Sequence, residues 1–245
     1  MIAVRDLCKR FGRKEVLHSI SLSMGNGCYG LLGANGAGKT TLIRCMAGLF
    51  EPQRGEVLYD NRPIHRLKGF QRDLGYLPQA FGMLPELTLY EMMDYMCSLK
   101  GIPRSQCAGE IAQALEFVNL EEWARERVRT LSGGMVRRAG IAQAVLGDPK
   151  VLLLDEPTAG LDPSERARFR NSVRELKRDR TVLLSTHIVE DVDACCDNVI
   201  VIHGGRILFS GPSDELREVA VRQAGHTGKK PTVEDGYLWL TNGIA

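Results

Sequence analysis

The chain opens with short apolar runs set between polar turns. Ile2 to Lys9 and Val16 to Met24 each read as a strand, separated by the polar turn Gly12-Arg13-Lys14-Glu15. A third run, Cys28 to Leu32, follows Gly25-Asn26-Gly27. The period then changes: Leu42, Ile43, Met46 and Leu49 fall on one helical stripe, directly after a glycine-rich loop. Glu56 to Tyr59 reads as a further strand closed by Asp60-Asn61. From Leu84 to about Leu146 the texture is helical, with Ile111, Ala114, Leu115 and Val118 marking one face. This stretch is expected to form a helical subdomain inserted into the core. Its charged patch, Glu121 to Arg129, reads as a solvated helix face.

Val151 to Leu154 is an uninterrupted apolar run of the kind buried on both faces of a sheet. Asp162-Pro163-Ser164-Glu165 then opens a helix, with Asp162 as N-cap, proline in the first turn and Glu165 completing a capping box. Thr181 to Ser185 and Val199 to His203 are two more strands, and Gly204-Gly205 turns the second into Arg206 to Phe209. Strands alternating with helices in this order predict an α/β fold: a largely parallel, helix-covered sheet with antiparallel pieces at its N-terminal edge. No internal repeat breaks the pattern.

A chain of 245 residues holds one large domain, or a core domain with an insertion. With 44% hydrophobic and 25% charged residues it has material for a sizeable core, and a net charge of +2 is too small to point to nucleic acid. The seven cysteines include no C-x-x-C pair, so neither a zinc spacing nor a disulfide framework is visible. They are expected to be small buried apolar side chains in a reducing compartment. The N-terminus lacks the apolar stretch of a secretory signal, and no run approaches the roughly 20 apolar residues that span a bilayer. Any membrane crossing is expected from another chain.

Gly33-Ala34-Asn35-Gly36-Ala37-Gly38-Lys39-Thr40 fits the phosphate-loop pattern G-x-x-x-x-G-K-[ST] between a strand and a helix. Its glycines let backbone N–H groups turn inward around phosphate oxygens, at the positive end of the helix that follows. Lys39 places a cation on the β- and γ-phosphates, the Thr40 hydroxyl can ligate Mg²⁺, and Thr41 continues the nucleotide-binding segment. Asp155, at the end of the buried run Val151 to Leu154, is placed to hold the metal. Glu156, facing the other way along the strand, is free to orient and polarise water. Leu131-Ser132-Gly133-Gly134-Met135 offers a second anion site at a helix start, and one nucleotide has no obvious need of two such sites from one chain.

With these segments the chain resembles the ABC ATPase family, whose serine-glycine-glycine signature contacts the ATP held by the opposite subunit. The resemblance covers roughly residues 1 to 215. It implies a P-loop NTPase core with an N-terminal antiparallel β subdomain and an α-helical subdomain at about 84–146, followed by a short extension over 216–245. It implies that Phe11 stacks on adenine, that Gln79 reaches the metal and senses the γ-phosphate, and that His187 is the switch histidine. Ala159-Gly160-Leu161-Asp162 matches a segment that crosses the family's dimer interface, which adds a subunit contact to the helix-capping role of Asp162.

ATP and Mg²⁺ are the cofactors so implied. The partners so implied are a second ATPase subunit, identical or paralogous, and an integral membrane permease, with this chain peripheral at the cytoplasmic face of the cell membrane. The departure is Met135, where the commonest signature has glutamine. Leu-Ser-Gly-Gly-Met followed by Val-Arg-Arg is similar to a bacterial exporter branch, as is Thr232-Val-Glu-Asp-Gly-Tyr-Leu238. Three other classes fit the sequence less well. A non-transport ABC ATPase acting on nucleic acid or ribosomes would carry long coiled coils, or two cassettes joined by a basic linker. An unrelated P-loop kinase or GTPase would lack Ser132-Gly133-Gly134 and His187, and a catalytically dead cassette would lack Glu156 and His187.

Overall fold

The structure, a computed structural model, describes residues 1–224 and 231–242. In chain order it begins with strands β1 (Ile2–Phe11), β2 (Lys14–Met24) and β3 (Gly27–Leu32), then helix α1 (Lys39–Met46). Strands β4 (Arg54–Tyr59) and β5 (Arg62–Pro63), the short helix α2 (Phe70–Asp73) and β6 (Leu74–Leu77) follow. Helices α3 (Leu89–Lys100), α4 (Arg104–Phe117) and α5 (Gly133–Val145) intervene before β7 (Val151–Asp155). The remainder runs α6 (Pro163–Leu176), β8 (Thr181–Thr186), α7 (Val189–Cys195), β9 (Asn198–His203), β10 (Arg206–Pro212), α8 (Ser213–Ala224) and α9 (Val233–Asn242).

Two sheets result. The larger has the order β10-β9-β3-β8-β7-β6 and is parallel except for β10, the antiparallel edge strand. The antiparallel N-terminal strands form a sheet of their own, β2-β1-β4-β5. Continuous burial explains the run of four apolar residues in β7: Val151, Leu152, Leu153 and Leu154 are all 1% exposed or less. Helices cover both faces of the parallel sheet, so β7 has no polar side to show.

Several elements depart from the sequence expectation. The turn between β1 and β2 contains only Gly12 and Arg13, and Lys14 and Glu15 already belong to β2. Leu42, Ile43 and Met46 are fully buried along α1, but the helix ends at Met46 and Leu49 is exposed. Glu121 to Arg129 is not a helix face; it holds two short 3₁₀ turns, Glu121–Trp123 and Val128–Thr130. Strand β6 carries no alternation, because Leu74, Gly75 and Leu77 are all buried. A Cβ at Gly75 would lie 2.1 Å from the Ala144 carbonyl oxygen, so glycine is what lets α5 lie directly on this strand.

Capping residues fix the helix starts. Thr88 before α3 pairs with Glu91, and Asp162 before α6 pairs with Glu165, each as a reciprocal capping box. The expected C-terminal extension, 216–245, contains α9 and most of α8. Residues 225–230 and 243–245 of it lie outside the described residues.

Candidate functional site

Three parallel strands end at one level. Leu32 of β3 lies beside Thr186 of β8, and Ser185 lies beside Asp155 of β7. The next residues, Gly33, His187 and Glu156, therefore leave the sheet together at its carboxyl edge, where open α/β sheets bind ligands. β6 ends in register there too, with Leu77 beside Leu154, and it delivers Gln79 two residues later.

The loop from Gly33 to Thr40 is shaped by its glycines. Gly36 and Gly38 have φ of +82° and +109°. At Gly38 an added Cβ would also come within 2.9 Å of Leu17 Cδ2, so conformation and close packing both require glycine. Ala37 N–H donates to the Ala34 carbonyl at 3.1 Å, and α1 starts at Lys39 with no acidic residue in its first turn. The free N–H groups and positive end of that helix are thus not neutralised by a carboxylate on its own first turn.

Lys39 is only 6% exposed. Its Nζ donates to the carbonyls of Gly33 at 2.6 Å and Ala34 at 3.3 Å, and lies 3.5 Å from Glu156 Oε1. The other carboxylate oxygen, Glu156 Oε2, is 3.0 Å from His187 Nδ1. Glu156 therefore joins a buried cation to an imidazole that is 54% exposed. Its backbone has φ +51°, a conformation that costs about 1–3 kcal/mol outside glycine. Two contacts hold it there, since Glu156 N–H meets both the carbonyl and the hydroxyl oxygen of Ser185 at 3.1 Å.

Asp155 is fully buried. Its Oδ1 accepts the Ser185 hydroxyl at 2.5 Å, while Oδ2 has no hydrogen-bond partner. A buried carboxylate oxygen left unpaired is costly unless something binds it. At the same carboxyl edge of the sheet, the Thr40 hydroxyl donates to Gln79 Oε1 at 3.5 Å. The unpaired Asp155 oxygen, the Thr40 hydroxyl and the Gln79 amide oxygen are hard donors, a set that fits Mg²⁺.

The remaining sequence candidates stand apart from this cluster. Ser132 caps α5, its hydroxyl accepting Met135 N–H at 3.2 Å. A Cβ at Gly133 would meet nothing within 4 Å, and one at Gly134 would meet the Glu165 carboxylate. Phe11 is 46% exposed and lies edge-on to Phe50, with centroids 5.4 Å apart and Lys9 Nζ 5.3 Å from the Phe11 centroid. Among the described residues, no hydrogen bond, ion pair or ring contact joins Phe11, Ser132, Gly133 or Gly134 to Lys39, Glu156 or His187. Asp162 caps α6 through Glu165 N–H at 2.8 Å, and that bond holds its carboxyl below the usual range.

Sequence reasoning missed Arg137. This residue of α5 is 8% exposed, and its guanidinium gathers five carbonyl oxygens from two separate segments. Nη1 donates to Pro78 at 3.1 Å and Gln79 at 3.0 Å, Nε to Pro157 at 3.3 Å, and Nη2 to Asp155 at 2.5 Å and to Glu156. Burial pulls its pKa below the ordinary guanidinium value, opposed by the charges of Asp155 and Glu156. The helix that begins after Ser132 is thus tied through Arg137 to the backbone of Gln79 and of the neighbouring carboxylates Asp155 and Glu156. A basic residue in Val136-Arg137-Arg138 carries no sequence sign of this, because arginines on helices are usually solvated.

Comparison with known proteins adds the following. The family profile described as ABC transporter matches residues 17–159, more than half of the chain. An uncharacterised ABC transporter ATP-binding protein, YxlF of Bacillus subtilis, is 38% identical over 220 residues, spanning 89% of this chain and 73% of its own. The Nod factor export ATP-binding protein I of Burkholderia orbicola is also 38% identical, over 89% of this chain and 72% of its own. A solved structure of an ATP-binding subunit of an ABC transporter superposes with a TM-score of 0.86 at 28% identity, covering 98% of this chain and 99% of the other.

Proposed function

The chain belongs to the ABC transporter family as an ATP-binding subunit, and from that premise we propose that it hydrolyses ATP in a Mg²⁺-dependent, head-to-tail dimer that drives export through a separate membrane permease. The observation that carries the catalytic part is the position of Glu156, its two carboxylate oxygens divided between Lys39 and His187. ATP lies with its phosphates in the loop Gly33 to Thr41, Lys39 on the β- and γ-phosphates. Glu156 takes a proton from the water that attacks the γ-phosphorus, and the bond to the β-phosphate oxygen breaks to leave ADP and phosphate. His187 bonds the γ-phosphate and orients the Glu156 carboxylate. Mg²⁺, which Thr40, Gln79 and Asp155 would hold, supplies charge neutralisation at the phosphate oxygens.

Dimerisation is supported by the separation of Ser132-Gly133-Gly134 from the Lys39 cluster. These residues are assigned to the ATP of the opposite subunit, and Phe11 to the adenine of its own. Residues 1–215 are assigned to the ATPase unit, 84–146 to its helical part and 216–245 to an extension. A permease partner is supported by exposed apolar side chains on and around α3, where Tyr90, Tyr95 and Leu99 are 40%, 48% and 65% exposed. No helix among the described residues is long and apolar enough to cross a membrane, so the chain would act peripherally at the cytoplasmic face. Export is supported by the Nod factor export relative and by Met135 in the signature.

Glu156→Gln tests the assignment. It keeps the shape of the side chain but removes the base, so phosphate release should fall by about 10²–10⁴. ATP-dependent dimerisation, followed by light scattering, should persist. Normal turnover by this variant would overturn the role given to Glu156.

A further inference from the structure

At the opposite end of β3 from the phosphate loop, three cysteines distant in sequence come together. Cys28 is the second residue of β3, Cys195 ends α7 and Cys196 follows it. Their exposures are 0%, 3% and 7%. Cys28 Sγ is 3.3 Å from Cys196 Sγ, which is 4.0 Å from Cys195 Sγ, and all three sulfurs lie within 4.8 Å of one another. The triangle is fixed by backbone rather than by chance rotamers. Asp197 N–H donates to the Cys28 carbonyl at 3.0 Å, Cys28 N–H reaches Asp197 Oδ2 at 3.3 Å, and Cys196 N–H closes α7 on Val192 at 2.9 Å.

We propose that Cys28, Cys195 and Cys196 form a three-sulfur binding site for a soft trivalent ion of the arsenite class. Bonds of about 2.3 Å, the usual metal–thiolate length, would place the sulfurs roughly 3.3–4 Å apart, depending on how pyramidal the centre is. The observed triangle needs only small side-chain rotations to match. The donor set is all sulfur, which selects soft ions over Mg²⁺ or Ca²⁺. No fourth ligating side chain joins the group among the described residues, so a tetrahedral all-protein site is not offered.

Charge then chooses among the soft ions. Three thiolates around a monovalent or divalent ion leave net negative charge in a buried place, which is costly. Around a trivalent centre they leave none. Binding balances without redox change. Three As–S bonds replace three As–O bonds of arsenous acid, and the three thiol protons leave with the hydroxyls as water.

The test uses the full reduced chain titrated with sodium arsenite, without nucleotide, so its failure and that of the ATPase assignment are distinguishable. One arsenic per chain, loss of three titratable thiols and a raised melting temperature are expected. Cys28→Ala, Cys195→Ala and Cys196→Ala should each weaken uptake by roughly tenfold or more, with ATP binding as the check that they fold. The paired replacement Cys97→Ala with Cys107→Ala should leave uptake unchanged, since those buried thiols lie elsewhere. Unchanged uptake in the three cluster variants would overturn the site. So would a preference for Zn²⁺ over arsenite, or consumption of the thiols as a Cys28–Cys196 disulfide without arsenic bound.

Discussion

The carboxyl edge of the parallel sheet and the turn at Ser132 are the two regions assigned above to phosphate, and they are finished to different degrees. At the sheet edge Lys39, Asp155 and Glu156 are buried, and each has partners within the chain. At the turn, Ser132 spends its hydroxyl on its own helix, and Gly133 faces open space. A catalytic edge must hold charged groups still in low dielectric, so it is locked from within. A surface that engages a ligand only when another subunit arrives must stay open. Arg137 lies between the two regions, buried at one and carried by the helix of the other.

The largest effect is expected from cutting that tie. Arg137→Met keeps the volume but removes the guanidinium from five backbone carbonyls, of which that of Glu156 retains the Ala159 N–H, and the loss should be about 3–5 kcal/mol of stability. The denaturation midpoint measures it. Arg137→Lys should recover only part, because an ammonium cannot span both segments. If Arg137→Met were as stable as the parent, the two regions would not be mechanically joined as the contacts indicate.

Ser132→Arg is a weaker blow, aimed at the open region alone. A long cation at the turn should prevent closure of two subunits, lowering ATP hydrolysis roughly 100-fold, about 2.7 kcal/mol. Nucleotide binding by the monomer, measured by calorimetry, should stay near the parental value. Loss of monomer affinity would instead place the turn in the chain's own nucleotide pocket.

Legibility in the sequence follows the same division. The phosphate loop is readable because glycine and lysine spacing records a backbone shape, and Asp155-Glu156 because a short wholly apolar run fits a buried strand and is paired with that loop. The open turn at Ser132 is readable as a helix start, and its assignment to the ATP of a second subunit rests on family resemblance. Long-range convergence was not readable. Arg137 reaches carbonyls 18 to 59 residues away, and Cys28 meets Cys196 across 168 residues. Neither leaves a local spacing. Strand β6 shows no strand signal in the sequence because burial on both sides erases alternation in so short a segment.

The most gradual expected effect, spread over the window from about pH 8 to 10.5, concerns the C-terminal end of α5. Lys100, at the end of α3, donates to the last carbonyls of α5, Leu146 at 2.7 Å and Ala144 at 3.4 Å, where the helix dipole favours a cation. Burial nevertheless pulls its pKa down to about 8 from 10.5. Below about pH 8 the residue is charged in both folded and unfolded chains, and the cost of burying that charge is present in full. Between about pH 8 and 10.5 the unfolded chain binds more protons, so this group's contribution to stability rises with pH. Buried thiols with raised pKa act in the opposite sense over part of this window, as at Cys45 and Cys97. Subtracting the profile of Lys100→Met removes what the two proteins share. The difference curve, parent minus variant, should climb from pH 8 to 10.5 and lie flat below. A flat curve throughout would mean that the ammonium remains fully hydrated, and that α5 is held by its middle alone.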